Sequence, residues 1–146
     1  MLSGGTGPLP DGTRGGHSTG SREAPRTAPG KAARRAARLA ADGPACVWCG
    51  RTLEEGLVRA TTEHVVPRVK GGPSWAENEL VACARCNRAR GHRTPAEWAD
   101  ECERRGWPVD RERIRLALEE LAAAIGERGG MRRARRYVES QRRRFR

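Results

Sequence analysis

The 146-residue chain has few aromatic side chains, 4% of the total: four tryptophans, one tyrosine and one phenylalanine. It also lacks long apolar runs. No run exceeds the five residues of Leu121 to Ile125, far short of the ~20 residues that cross a bilayer, so no membrane partner is expected. The start, Met1-Leu2-Ser3-Gly4-Gly5, has no basic residues leading into an apolar stretch, and no secretory signal is expected. Without export a disulfide framework is not expected, and the odd number of cysteines, five, argues the same way. The expected location is the cytoplasm, and the Ala/Arg/Gly-heavy composition suggests a bacterial or phage origin. At 36% hydrophobic residues the chain is thinly supplied for a core that must offset chain entropy. Something besides apolar burial must hold it.

What the chain has in excess is positive charge. Lys and Arg number 29 against 18 acidic residues, a formal net charge of +11. That balance points to a polyanionic partner, nucleic acid before a membrane surface. The charge is uneven: residues 1–42 carry +4, 43–95 carry +3, 96–130 carry −3 and 131–146 carry +7. These divisions match the expected organisation. Residues 1–42 read as a basic arm. Its first thirty residues are too poor in large apolar side chains to fold, and Lys31 to Ala41 reads as a short basic helix that forms on contact with a partner. Residues 43–95 read as the functional domain, with strands over Leu57–Val66 and Leu80–Cys83, a Lys70-Gly71-Gly72-Pro73 loop, and a helix over Arg85–Arg90 ended by Gly91. Residues 96–130 read as a helical extension. One helix is capped by Thr94 and Glu97, and a second begins near Asp110 with an Ile114, Leu118, Leu121, Ile125 stripe. The stripe would pack on the preceding domain or join two copies as a homodimer. Residues 131–146 are an Arg-rich tail suited to phosphate contacts.

Cys46-Val47-Trp48-Cys49 and Cys83-Ala84-Arg85-Cys86 are two C-x-x-C pairs separated by 33 residues. Together they supply the four thiolates of a closed tetrahedral zinc site. Zinc here would provide folding energy that the small apolar core cannot. Cys102 falls outside this pattern, four residues after Trp98, and reads as a buried thiol.

Between and after the pairs lie Thr62-Glu63-His64-Val65-Val66-Pro67, Gly71-Gly72, Asn78 five residues before Cys83, and Asn87 directly after Cys86. This segment, about residues 45–95, resembles the zinc-stabilised HNH endonucleases. The resemblance implies an α+β chain with a ββα-metal core around one catalytic divalent ion, clipped by the Cys46, Cys49, Cys83 and Cys86 zinc and extended by C-terminal helices. It implies His64 as general base, Glu63 and Asn87 as ligands of the catalytic ion, and Asn78 as the residue that orients the histidine. The implied reaction is hydrolysis of DNA phosphodiester bonds to 5′-phosphate and 3′-hydroxyl ends.

The chemistry of these residues agrees with those roles. A histidine titrates near neutrality and suits activation of water. A carboxylate and an amide oxygen, completed by waters and phosphate, are a hard-cation shell for Mg²⁺ or Mn²⁺. Adjacent strand residues point to opposite faces, so Glu63 and His64 can share a site only if the strand ends or bends there. Glu63 stands where Asp is commoner in the family, and Arg90 where Lys is often found. Asn87 can also cap the following helix, Asn78 can also shape the turn before the second strand, and His92 reads as an exposed loop residue. Trp75, after the Gly-Gly loop, reads as packing. Arg68, Lys70, Arg88, Arg90 and Arg93 are the expected nucleic-acid contacts near the site. The rival reading is a catalytically inactive zinc module that binds nucleic acid as an adaptor.

Overall fold

A computed structural model describes residues 28–54 and 57–146, with Gly7 alone before them. The arm expected to be disordered lies almost wholly outside the described residues. Among those described are five helices and one two-stranded antiparallel sheet: α1 (Lys31–Asp42), β1 (Ala60–His64), β2 (Glu79–Cys83), α2 (Ala84–Arg90), α3 (Pro95–Arg104), α4 (Arg111–Arg128) and α5 (Arg132–Arg144). Short 3₁₀ turns occupy Arg68–Lys70 and Ala76–Asn78 between the strands. The architecture is small α+β, as expected from the sequence. No described helix is long and apolar enough to cross a membrane.

The β1–β2 register pairs Ala60 with Cys83, Thr62 with Val81, Glu63 with Leu80 and His64 with Glu79. Because side chains alternate along a strand, Thr61 and Glu63 leave one face, and Thr62 and His64 the other. Helix α2 reaches the first face, where Asn87 Nδ2 donates to Thr61 Oγ1 and Arg90 pairs with Glu63. Helix α1 reaches Glu79 on β2 through Arg34.

Strand β1 is shorter than the β-branched run Leu57–Val66 suggests. Leu57 lies in a turn and is 79% exposed. At the other end Val65 and Val66 leave the ladder, because the Asn78 backbone carbonyl and side chain take their amides. Helix α1 also differs from its reading as an arm. Its single large apolar residue, Leu39, does not anchor it; its arginines do. Arg38 is buried against Asp42 and Glu120, and Arg34 against Glu79.

The α4 stripe is buried: Ile114, Leu118, Leu121 and Ile125 are at most 1% exposed and join Trp48, Val65, Val66, Leu80 and Trp98 in one core. A homodimer through that stripe is therefore not supported, since the stripe is consumed inside the chain. The Arg-rich tail is itself part of the fold. Ala134, Val138 and Gln141 are buried at helical spacing along α5, with Phe145 buried just past its end, and Arg142 pairs with Glu119 on α4. The few aromatics concentrate in this core, with Trp48 and Trp98 fully buried and Trp107 edge-on to Trp98 at 6.2 Å.

Candidate active site and metal centre

The two cysteine knuckles meet. The sulfurs of Cys46, Cys49, Cys83 and Cys86 all lie within 4.8 Å of one another, and Cys49 Sγ is 3.9 Å from Cys83 Sγ. Sulfurs placed about 2.3 Å from a tetrahedral zinc are about 3.8 Å apart, so the cluster fits such an ion. Local structure explains the convergence. A narrow turn closed by the Ala45–Thr52 bridge holds the first knuckle, and Val47 N donates to Val81 O on β2. The second knuckle opens α2, where the Cys83 thiol caps the helix by accepting from Cys86 N at 3.4 Å. The thiols do not ionise alike. A hydrogen bond from Cys86 holds Cys46 down to about 5, whereas the Cys46 contact and burial push Cys86 up. Four packed thiols resist joint ionisation without a cation among them, which is the property of a metal site. Cys102 is buried on α3 instead, its thiol pushed up to about 12 by that burial.

At the end of β1 a shallow cavity of about 240 Å³ is lined by Glu63, His64, Pro67, Arg68, Val69, Asn87, Arg90, Gly91 and His92. Glu63 and His64 both reach it because the strand stops at His64. Burial lowers the His64 imidazole from its usual range; Glu79 opposes this, while Arg68, Arg34 and Lys31 reinforce it. Burial thus favours the neutral ring, the form that accepts a proton. His92 and Arg68 line the cavity and are exposed, and Lys70, Arg88 and Arg93, close to lining residues in sequence, are exposed as well.

Residues 46–103 match the family model of the HNH endonucleases. No curated protein and no solved structure matches the chain. The HNH segment runs from the first knuckle through β1, β2 and α2 nearly to the end of α3. Helices α1, α4 and α5 lie outside it.

Within the HNH segment the side chains divide differently from the sequence expectation. Glu63 is 4% exposed and both its oxygens are engaged: Oε1 accepts from Arg90 Nη1 at 2.7 Å, and Oε2 accepts from Trp48 Nε1. Burial raises its carboxyl from the usual range, opposed by Arg90. Arg90, expected on phosphate, is 1% exposed. Besides Glu63 it donates to the carbonyls of His64, Val65 and Arg93, and its guanidinium lies 5.5 Å from the Trp48 ring centroid. It is a structural residue here, with its donors spent inside the protein.

Asn78 is fully buried. Its Oδ1 accepts from Val66 N at 2.8 Å, and its Nδ2 donates to Val66 O and Pro73 O. These bonds shape the loop rather than touch the imidazole. They also explain the Gly-Gly pair, because a Cβ on Gly72 would stand 1.8 Å from Val66 O and 2.9 Å from Asn78 Nδ2, while Gly71 has φ +88°. Asn87 donates its nitrogen to Thr61 Oγ1 at 3.1 Å, which leaves its carbonyl oxygen as the end for a ligand. Trp75 is half-buried, with the Arg128 guanidinium 4.2 Å from its ring centroid.

A family-type catalytic cation can be tested against these donors. A hard cation takes six or more oxygens, many from carboxylates. The cavity offers the Asn87 oxygen, while the Glu63 carboxylate is already held by Arg90 and Trp48. As arranged, Glu63 does not fit as a direct ligand of such an ion. Sequence reading missed Trp48 as the partner of Glu63; its place between two clustered cysteines was the available signal. Nothing in the linear sequence marks Arg90 as the partner of a carboxylate 27 residues away.

Proposed function

We propose that the protein is a DNA endonuclease of the HNH type that hydrolyses phosphodiester bonds, with His64 as general base, on a scaffold held by a Cys46/Cys49/Cys83/Cys86 zinc. The carrying observation is the meeting of His64 with Asn87 and His92 around one shallow cavity, inside the segment that matches the family. His64 removes a proton from the attacking water. The cationic rim of Arg68, Lys70, Arg88 and Arg93 binds the phosphodiester chain and offsets its charge. Helix α5 extends this basic surface. Its first turn abuts the loop at the cavity edge, where Arg133 donates to Val69 O at 3.0 Å.

The closure of Glu63 by Arg90 and Trp48 favours a second reading, a module that binds nucleic acid without cutting it. Plasmid nicking by zinc-loaded protein in Mg²⁺ or Mn²⁺, beside a zinc-retaining His64→Ala variant, separates the two. The nuclease reading expects nicking by the wild type and a loss of at least about a hundredfold in the variant. Tight, salt-sensitive DNA binding with no nicking in either metal would establish the adaptor.

A further inference from the structure

His64 stands opposite Glu79 in the β1–β2 register, so the two side chains leave the same face of the sheet as direct neighbours. Each carries a buried polar atom with no hydrogen-bond partner, Nε2 of His64 and Oε2 of Glu79. Glu79 is fully buried, and its other oxygen accepts from Arg34 Nε on α1 at 2.8 Å. Arg34 is held in turn by donating from Nη1 to Pro29 O at 2.7 Å. A polar atom buried without a partner is costly. An imidazole N–H is a donor and a carboxylate oxygen an acceptor, so the two orphans complement each other, directly or through one bridging water. Asn78 is not free for this task, because its side chain is spent on the Val66 and Pro73 backbone.

We infer that Arg34, Glu79 and His64 form a relay in which Glu79 is the positioning residue of the base: its Oε2 takes the Nε2–H of His64 and leaves Nδ1 as the proton acceptor toward the cavity. The catalytic consequence rests on the reading of His64 as general base. In that step a water O–H bond breaks and an Nδ1–H bond forms, while the Nε2 proton stays in place. The resulting imidazolium faces a carboxylate that stabilises it, as in other base–carboxylate pairs. Arg34 fixes which oxygen of Glu79 is free. Since α1 lies outside residues 46–103, the relay is supplied partly by this chain's own N-terminal helix.

Long-range ¹H–¹⁵N spectra of the zinc-loaded full chain, labelled at histidine, read the tautomer without turnover. His17→Gln and His92→Gln identify the His64 signals. At about pH 7.5, above the ordinary histidine range, wild-type His64 is expected to carry its proton on Nε2. Glu79→Gln is expected to invert this. Arg34 still needs an oxygen, so the glutamine turns its NH₂ toward His64, Nε2 becomes the acceptor and the proton moves to Nδ1. The same variant should lose nicking by at least about tenfold through the wrong tautomer, a change that packing alone would not produce. A wild-type imidazole protonated on Nδ1, or a tautomer unmoved by Glu79→Gln, would overturn the relay. Should the variant not fold, the wild-type spectrum still decides. A chain with the expected tautomer that never cuts DNA would refute the nuclease reading and leave the relay standing.

Discussion

The Arg90 guanidinium ties the end of β1 to α2 through Glu63 and three backbone carbonyls. Removing one member of a buried ion pair leaves the other charge uncompensated, at about 3–5 kcal/mol, whereas replacing both by apolar groups is often nearly neutral. Arg90→Met and Glu63→Leu are each expected to destabilise the protein by about that amount. The double variant should recover most of the loss. It should stay below wild type by the about 1–3 kcal/mol of a buried donor left alone, because Trp48 Nε1 loses its acceptor. Urea unfolding of the four zinc-loaded proteins measures the cycle, and additive single losses would show that the pair is not a unit. Arg90→Lys is not a mild change here, since an ammonium cannot span the four acceptors.

At the level of elements, α3 shows how local signals fix a boundary. The Thr94 hydroxyl accepts from Glu97 N at 3.2 Å, and the Glu97 carboxylate accepts from Thr94 N at 3.0 Å; with Pro95 in the first turn the capping box is complete. Thr94→Ala should cost about 1 kcal/mol in urea unfolding, with the m-value unchanged if only the cap is lost. Signals of this kind made much of the fold legible. The cap before α3, Asp110 before α4, Gly91 after α2 and the paired C-x-x-C spacing are all contained in short windows. The limits of β1 were less legible, because Val65 and Val66 have strand propensity but lose their ladder partners to Asn78, thirteen and twelve residues away. Helix α1 was legible as a helix but not as part of the fold, since what anchors it is charge pairing with Glu79 and Glu120. The candidate site was legible as a set of residues and less so as a division of labour. Sequence could not show that Glu63 and Arg90 would be buried together, nor that the Asn78 amide would close a loop.

Across the whole molecule, the cysteine cluster joins two knuckles, residues 46–49 and 83–86, that are 33 residues apart in sequence. Ile114, Leu118, Leu121, Ile125 and Val138 of the α4–α5 side share one core with Cys46, Val47 and Trp48 of the first knuckle. The first knuckle is tied to the rest by few bonds: Val47 N to Val81 O, Asp110 N to Val47 O, and Trp48 to Glu63. Its buried Trp48 lies directly between two of the clustered cysteines. Chelation of the metal should therefore act first there. The expected result is exposure of Trp48, seen as a red shift in tryptophan emission, with the helical far-UV signal from α4 and α5 falling less than the fluorescence changes. Because thiols must lose protons to bind, the metal should be held less tightly as pH falls, and the same shift should appear without chelator on mild acidification. Cys102→Ser should leave the content at one zinc per chain, and Cys49→Ser should lower it. Full retention of emission and zinc-independent folding would show that hydrogen bonds and core packing alone hold the knuckle. The link from cysteine cluster to Trp48 to Glu63 to the cavity would then have no energetic content.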